Sequence, residues 1–271
     1  EIHGANGENP LSLLFSGEIG PDHKLLQADP DGPSGIDYLV CESTYGDRER
    51  GEIMPERRRA ILAREVHTAA AAAGSLIIPS FAVERTQELL VDIPAMPVFV
   101  DSPLATRASA IFERHAAEIE DGDILRRALN SRNVRFTETV EQSKAINRFT
   151  GFFVVIAASG MCDAGRIRHH LKANLWRANA TVMMAGFQAQ GSLGRILLDG
   201  AKRVRIQGEE IEVKARITQI DLYSGHADAS ELTTWVAARQ PVAHSVFLTH
   251  GEDAGLFGLR ERLAQAMPAD R

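Results

Sequence analysis

Residues 74–83 read Gly74-Ser75-Leu76-Ile77-Ile78-Pro79-Ser80-Phe81-Ala82-Val83. A short apolar run bounded by glycine and proline leads directly into a helix-forming segment. The pattern predicts a strand over 76–78 and a helix over 83–91. The same unit recurs downstream. Strands are expected at Val98–Val100, Phe153–Ala157 and 182–185, followed by helices over 106–117, over 165–176 and from about Leu193. Such alternation predicts an α/β fold, a parallel sheet with helices on its faces.

Working outward, residues 56–73 predict a helix, with Pro55 suited to its first turn. The alanine run within it is helix propensity. Upstream, strands are expected over 11–15 and 36–41. The second is nearly all apolar, as a strand buried on both faces is, and it ends at Glu42. Downstream, 203–213 predicts a hairpin about Gly208-Glu209. Residues 217–222 predict a strand ending at Ser224-Gly225, just before His226. Residues 246–248 predict another, ending at Thr249-His250-Gly251, and a helix follows each. Both histidines are therefore expected at strand ends beside a glycine, where open α/β sheets place their chemistry.

A chain of 271 residues is one large domain or two small ones. No apolar run approaches the length of a membrane span, so no membrane association is expected. The chain opens Glu1-Ile2-His3-Gly4, without an initiator methionine or a signal peptide, which suggests a fragment. Cys41 and Cys162 make no disulfide framework, and a cytoplasmic location is the expectation. The net charge of -6 means that nucleic-acid binding needs a local basic patch.

Glu18, Glu42, His226 and His250 all fall at predicted strand ends. Carboxylate and imidazole together are what a hydrolytic zinc site uses, and a histidine beside a carboxylate is a candidate general acid. Which histidine takes which role is left open by the residues themselves. A second constellation is the loop Ser159-Gly160-Met161-Cys162-Asp163-Ala164-Gly165-Arg166. Its glycines and the helix start after it are suited to a phosphate, and Arg166, Arg168, His169, His170 and Lys172 make that start basic. A solvated helix face is the alternative. Arg195, in a similar loop, is read either as a second phosphate contact or as part of a structural cap. His3, His23, His67, His115 and His244 have no partner pattern, and Cys162 lacks a patterned histidine that would make it a nucleophile.

Taken in order, several motifs carry a resemblance over essentially the whole chain. They are Phe15-Ser16-Gly17-Glu18, Glu42-Ser43-Thr44-Tyr45-Gly46, Pro79-Ser80-Phe81-Ala82, Asp101-Ser102-Pro103-Leu104-Ala105, Ser159-Gly160-Met161, Ser224-Gly225-His226-Ala227-Asp228 and His250-Gly251-Glu252. The chain resembles the β-CASP group of the metallo-β-lactamase superfamily, metal-dependent nucleases that include ribonuclease J and the endonuclease of pre-mRNA 3′-end processing. The resemblance implies that His226 and Glu42 are catalytic, with His226 protonating the leaving group and Glu42 orienting it. It implies that Glu18 and His250 are metal ligands, and that Ser159, Gly160 and Arg166 hold substrate phosphate. Histidine at position 250 goes with RNA substrates in this group, whereas DNA-acting relatives tend to carry valine.

Two departures accompany the resemblance. The group's His-x-His-x-Asp-His motif is absent from these residues and is expected N-terminal to Glu1. Glu18 also stands where the group has a zinc-bridging aspartate. Its added methylene moves the carboxylate by about 1.5 Å, a large step for a zinc ligand.

The resulting expectation is a partial metallo-β-lactamase αββα sandwich from residues 1–49 and 201–271, with a β-CASP α/β domain inserted over 50–200 and substrate in the cleft between them. The expected function is zinc-dependent hydrolysis of RNA phosphodiester bonds. Two zinc ions serve a complete site in the group, and binding by this chain alone is expected to be weak or absent, leaving it inactive. RNA and a second copy of the chain are the partners the reading admits. A catalytically silent RNA-binding scaffold is the alternative from another class, favoured by Glu18. A DNA-repair nuclease is the second alternative, disfavoured by His250.

Overall fold

The computed structural model describes residues 11–51 and 54–267. In chain order the elements begin with β1 (Leu13–Phe15), β2 (Ile36–Glu42), α1 (Pro55–Ala71), β3 (Ser75–Pro79), α2 (Arg85–Asp92), β4 (Val98–Val100) and α3 (Pro103–Arg114). There follow α4 (Gly122–Leu129), β5 (Val134–Phe136), α5 (Val140–Ile146), β6 (Phe153–Ala157), α6 (Ile167–Asn174), β7 (Thr181–Met184) and α7 (Leu193–Leu198). The last are β8 (Arg203–Ile206), β9 (Glu209–Glu212), β10 (Arg216–Gln219), α8 (Ala229–Ala237), β11 (Val242–Thr249) and α9 (Asp253–Ala266). The chain divides into two compact units, one of Glu1–Glu52 with Ser224–Arg271, the other of Ile53–Tyr223.

The larger unit is built on a six-stranded sheet of order β10-β7-β3-β6-β4-β5, parallel at every pairing. Every residue of β3, β6 and β7 is buried, as expected of central strands covered by helices on both faces. Helix α3 starts earlier than its periodicity predicts, because Ser102 caps it by accepting from the Ala105 N–H and Pro103 takes the first turn. The elements α4, β5 and α5 were not expected; α4 buries Leu125 and Leu129 at helical spacing, and α5 is held by a capping box between Thr139 and Gln142. The β8–β9 hairpin turns at Gln207 and Gly208, both at positive φ, one step before the position read from the sequence. That is the backbone of a type I′ turn.

The smaller unit holds a parallel three-stranded sheet of order β1-β2-β11. Alternation sends Leu39, Cys41, Val246 and Leu248 to one face, against Leu232, Trp235 and Val236 of α8 and Leu259 and Leu263 of α9. Phe15 and Phe247 point the other way and are exposed. Strand β11 is longer than the core of 246–248 suggests, because its exposed half carries little apolar signal.

Two expectations change. The predicted strand over 217–222 ends at Gln219 and pairs with β7 in the larger unit, so His226 does not end a strand of the sheet that carries His250. A short apolar alternation marks a strand without saying which sheet receives it. The compact units divide at Tyr223/Ser224, where 200/201 was expected as a domain boundary: β10 joins the larger sheet, and the separate β8–β9 hairpin packs Val204 and Ile206 into that unit's core.

Candidate active site

The smaller unit gathers its polar residues through strand register. Leu13–Phe15 runs beside Tyr38–Val40, and Thr249 lies opposite Glu42. The segments leaving the three parallel strands therefore emerge on one edge, carrying Glu18, Glu42 with Thr44, and His250. His226 joins them from the loop before α8. That loop is fixed at its far end by Asp228, which accepts from the Ser230 and Glu231 N–H groups while Glu231 accepts from the Asp228 N–H. Such a cap contributes about 1 kcal/mol. The Ala227 N–H donates to Ile19 O at 2.6 Å, joining the loop to the segment that carries Glu18.

Glu42 is 2% exposed. Its Oε1 accepts from the Ile19 N–H at 2.7 Å, and its oxygens lie 2.9 and 3.1 Å from His226 Nδ1. A carboxylate already held by a backbone N–H accepts, so Nδ1 of His226 carries the proton and Nε2 is the nitrogen left for chemistry. Thr44 Oγ1 donates to the His250 carbonyl at 2.9 Å and lies 3.2 Å from His250 Nδ1. With its hydroxyl proton so used, Thr44 accepts from Nδ1–H, which leaves Nε2 of His250 as the ring nitrogen open to a ligand. A neighbouring group that fixes the ring in this way is what orients a histidine able to bind metal.

His250 itself is at φ 50, a left-handed turn straight after β11. Gly251 follows because a Cβ there would lie 2.5 Å from Ser43 Oγ and 2.7 Å from Ser43 O. Arg50 underpins His226 from behind: its backbone N–H donates to Asp228 at 2.8 Å, its guanidinium donates to the His226 carbonyl, and it stacks 4.8 Å over the Tyr45 ring.

One donor atom from each of Glu18, His226 and His250 lies within 4.8 Å of the others. A tetrahedral zinc with bonds of about 2.0–2.1 Å spaces its ligands about 3.4 Å apart, so the trio fits such an ion after small side-chain rotation. Only Glu18 and His250 were expected as metal ligands; His226 lies within the same group. The four positions singled out in sequence thus converge in one unit.

Ser159, Gly160 and Arg166 lie in the larger unit, after β6. Gly160 packs on Phe81, where an added Cβ would approach the ring to 3.1 Å. Arg166 is not the free cation expected. Its guanidinium donates to Asp101 Oδ1 at 2.7 Å and to the carbonyls of Thr137 and Glu138. Asp101, fully buried, also receives His170 Nε2 at 2.6 Å, Ser143 Oγ at 2.6 Å and the Thr137 hydroxyl. Burial alone would raise the Asp101 carboxyl, but these hydrogen bonds outweigh it and hold the group below the ordinary carboxylate range. Lys172 is paired with Glu209, and Arg195 with Asp199 at 2.9 Å.

Of the other histidines, His23 lies near Asp29, His115 near Glu118, and His244 packs on Tyr38. His67 Nδ1 lies 2.6 Å from Ala63 O, and His3 lies outside the described residues. Both thiols are buried, which pushes Cys41 and Cys162 up to about 12 and makes them poor nucleophiles at neutral pH. Thr44 and Asp101 stood inside recognised motifs without a readable role. Arg50 sits in a run of charges with no signal of its own.

A model of the Beta-Casp domain matches residues 80–197, and one of a Zn-dependent metallo-hydrolase RNA specificity domain matches 210–269. The chain belongs to the β-CASP group of the metallo-β-lactamase superfamily. Across 96% of its length this β-CASP chain is 34% identical to Ribonuclease TTHA0252 of Thermus thermophilus, spanning 62% of that protein. It is 27% identical to an RNase J-like protein of Methanocaldococcus jannaschii, with 89% of the chain and 58% of the relative covered. Against Transcription termination factor FttA of Cenarchaeum symbiosum the identity is 28%, over 91% of the chain and 41% of the relative. Among the described residues no helix is long and apolar enough to cross a membrane.

Proposed function

We propose that this β-CASP protein is a metal-dependent ribonuclease that hydrolyses RNA phosphodiester bonds. The observation that carries the reading is His226 held through Nδ1 by the buried Glu42 carboxylate, beside His250 and Glu18. A buried acid–imidazole pair costs desolvation and side-chain freedom, and a silent scaffold has no use for one with its far nitrogen presented to a potential metal site. The relatives named ribonuclease and RNase J-like support the same reading, as does histidine at position 250.

Glu18 and His250 would hold the metal, and zinc suits this oxygen and nitrogen donor set. The bound metal supplies Lewis-acid activation of phosphate and of water. His226 presents Nε2 to the leaving oxygen and donates a proton there. Glu42 stabilises the imidazolium before transfer and keeps the ring from rotating. Thr44 fixes the His250 ring; the Ser159-Gly160 loop of the larger unit would take a substrate phosphate, with Arg166 anchoring that loop through Asp101 and the Ser159 N–H used by Ala164 O. A second reading, in which His226 Nε2 ligates metal, is favoured by its place in the three-donor group. One nitrogen cannot ligate and donate a proton together, so the two readings exclude each other.

The test is cleavage of end-labelled single-stranded RNA and DNA of the same sequence by the full-length protein, with added zinc or manganese and with a chelator. Metal-dependent loss of RNA, with DNA cut far more slowly, is expected. Cleavage that persists in chelator, or equal cutting of DNA, would overturn the proposal.

A further inference from the structure

The larger unit contains a cleft of about 390 Å³ whose lining includes Arg168, Arg203 and Arg205. The volume is that of a small-ligand site. Strand β8 buries Val204 and Ile206, so alternation turns Arg203 and Arg205 to the same open face. Arg168 comes from α6 and donates through one terminal nitrogen to the Asp163 carbonyl at 3.3 Å, while its Nε is shielded from solvent with no hydrogen-bond partner. Arg205 makes no hydrogen bond or ion pair among the described residues. Arg203 pairs with Glu210 at 3.2 Å, but both side chains are well exposed, and such a pair contributes about 0–1 kcal/mol and yields readily to a better acceptor.

The opposing charge in the lining is Asp163, whose Oδ1 already accepts from the Leu193 N–H. Three guanidiniums and one capped carboxylate line the cleft itself. Glu210 and Glu212 lie opposite Arg205 and Arg203 across the hairpin, exposed partners that an anion held within the cleft can displace. Guanidinium forks match the oxygens of a phosphate, and Leu193 and Ile196 give the same cleft an apolar wall.

We propose that this cleft binds the phosphate of a nucleotide, with Arg168 and Arg205 as its principal contacts and the apolar wall against the sugar or base. Arg166 and Lys172, the cations most obvious in sequence, are already paired with Asp101 and Glu209. The identity of the ligand as a nucleotide rests on the ribonuclease reading; the phosphate chemistry does not.

The experiment is fluorescence anisotropy of a labelled single-stranded oligoribonucleotide with the full chain in chelator, so that no turnover occurs, at several salt concentrations. Arg205→Ala and Arg168→Ala should each weaken binding about tenfold and lower the salt slope by about one unit. Arg195→Ala, outside the cleft, should change neither. Thermal melting checks that the variants fold, and Arg205→Lys should restore part of the affinity. Displacement of the oligonucleotide by adenosine monophosphate would identify a free phosphomonoester as the ligand. Arginine-dependent binding without displacement would identify a phosphate within the strand. Unchanged affinity and slope in Arg205→Ala, or an equal loss in Arg195→Ala, would overturn the proposal. Wild-type protein that binds in this arginine-dependent way but never cleaves RNA would remove the ribonuclease reading and leave the phosphate site standing.

Discussion

The Nδ1 of His226 lies 2.9 Å from Oε2 of Glu42, and that carboxylate is almost wholly buried. The pair fixes both the tautomer and the direction of the ring. Glu42→Gln preserves volume and a hydrogen-bond acceptor while removing the charge that stabilises an imidazolium. RNA cleavage is expected to fall by about 10² or more, since general acid catalysis is worth about 10²–10⁴, with the melting temperature nearly unchanged. An unaltered kcat/KM would show that the pair is only structural.

Glu18 reaches the donor group from a loop that turns at Gly17, φ 61. Shortening it by one methylene restores the carboxylate length typical of the group. Glu18→Asp is expected to preserve or raise metal-dependent cleavage by the full-length protein. A large loss would identify the glutamate as an adapted ligand whose length the rest of the site requires.

Asp101 holds the loops after β4, β5 and β6 together through Arg166, His170, Ser143 and Thr137. Asp101→Asn should cost on the order of 3–5 kcal/mol, the usual effect of breaking a buried ion pair. The folded carboxyl titrates below its ordinary value, so its contribution is complete above about pH 4 and is lost as pH falls toward the folded value. The stability gap between wild type and Asp101→Asn should therefore narrow below about pH 4. Chemical denaturation at neutral and acid pH measures it, and a gap that is constant or widens in acid contradicts the assignment.

The larger sheet was legible because its strands are apolar throughout and its helices follow at regular spacing, as at 76–78 and 153–157. What the sequence left unread depended on partners distant in the chain. Arg166 looked like a free cation because Asp101 lies far upstream, and His170 looked like part of the same basic face while being the buried partner of that carboxylate. The contact of His226 with Glu42 spans 184 positions and no periodicity encodes it; it was expected only through the motifs that carry the resemblance. The grouping of His226 with Glu18 and His250 raises a ligand role for His226 that its motif did not suggest. The sheet that receives β10 was also unreadable, since four alternating residues fit either one.

The central claim is that His226 delivers a proton to the leaving oxygen. It is tested by comparing His226→Ala with wild type on two substrates, RNA and bis(p-nitrophenyl) phosphate, whose nitrophenolate departs without being protonated. The account predicts that the variant loses about 10²–10⁴-fold on RNA and keeps most of its metal-dependent activity on the activated diester. Equal loss on both substrates, together with lost metal, would contradict it and make His226 a ligand.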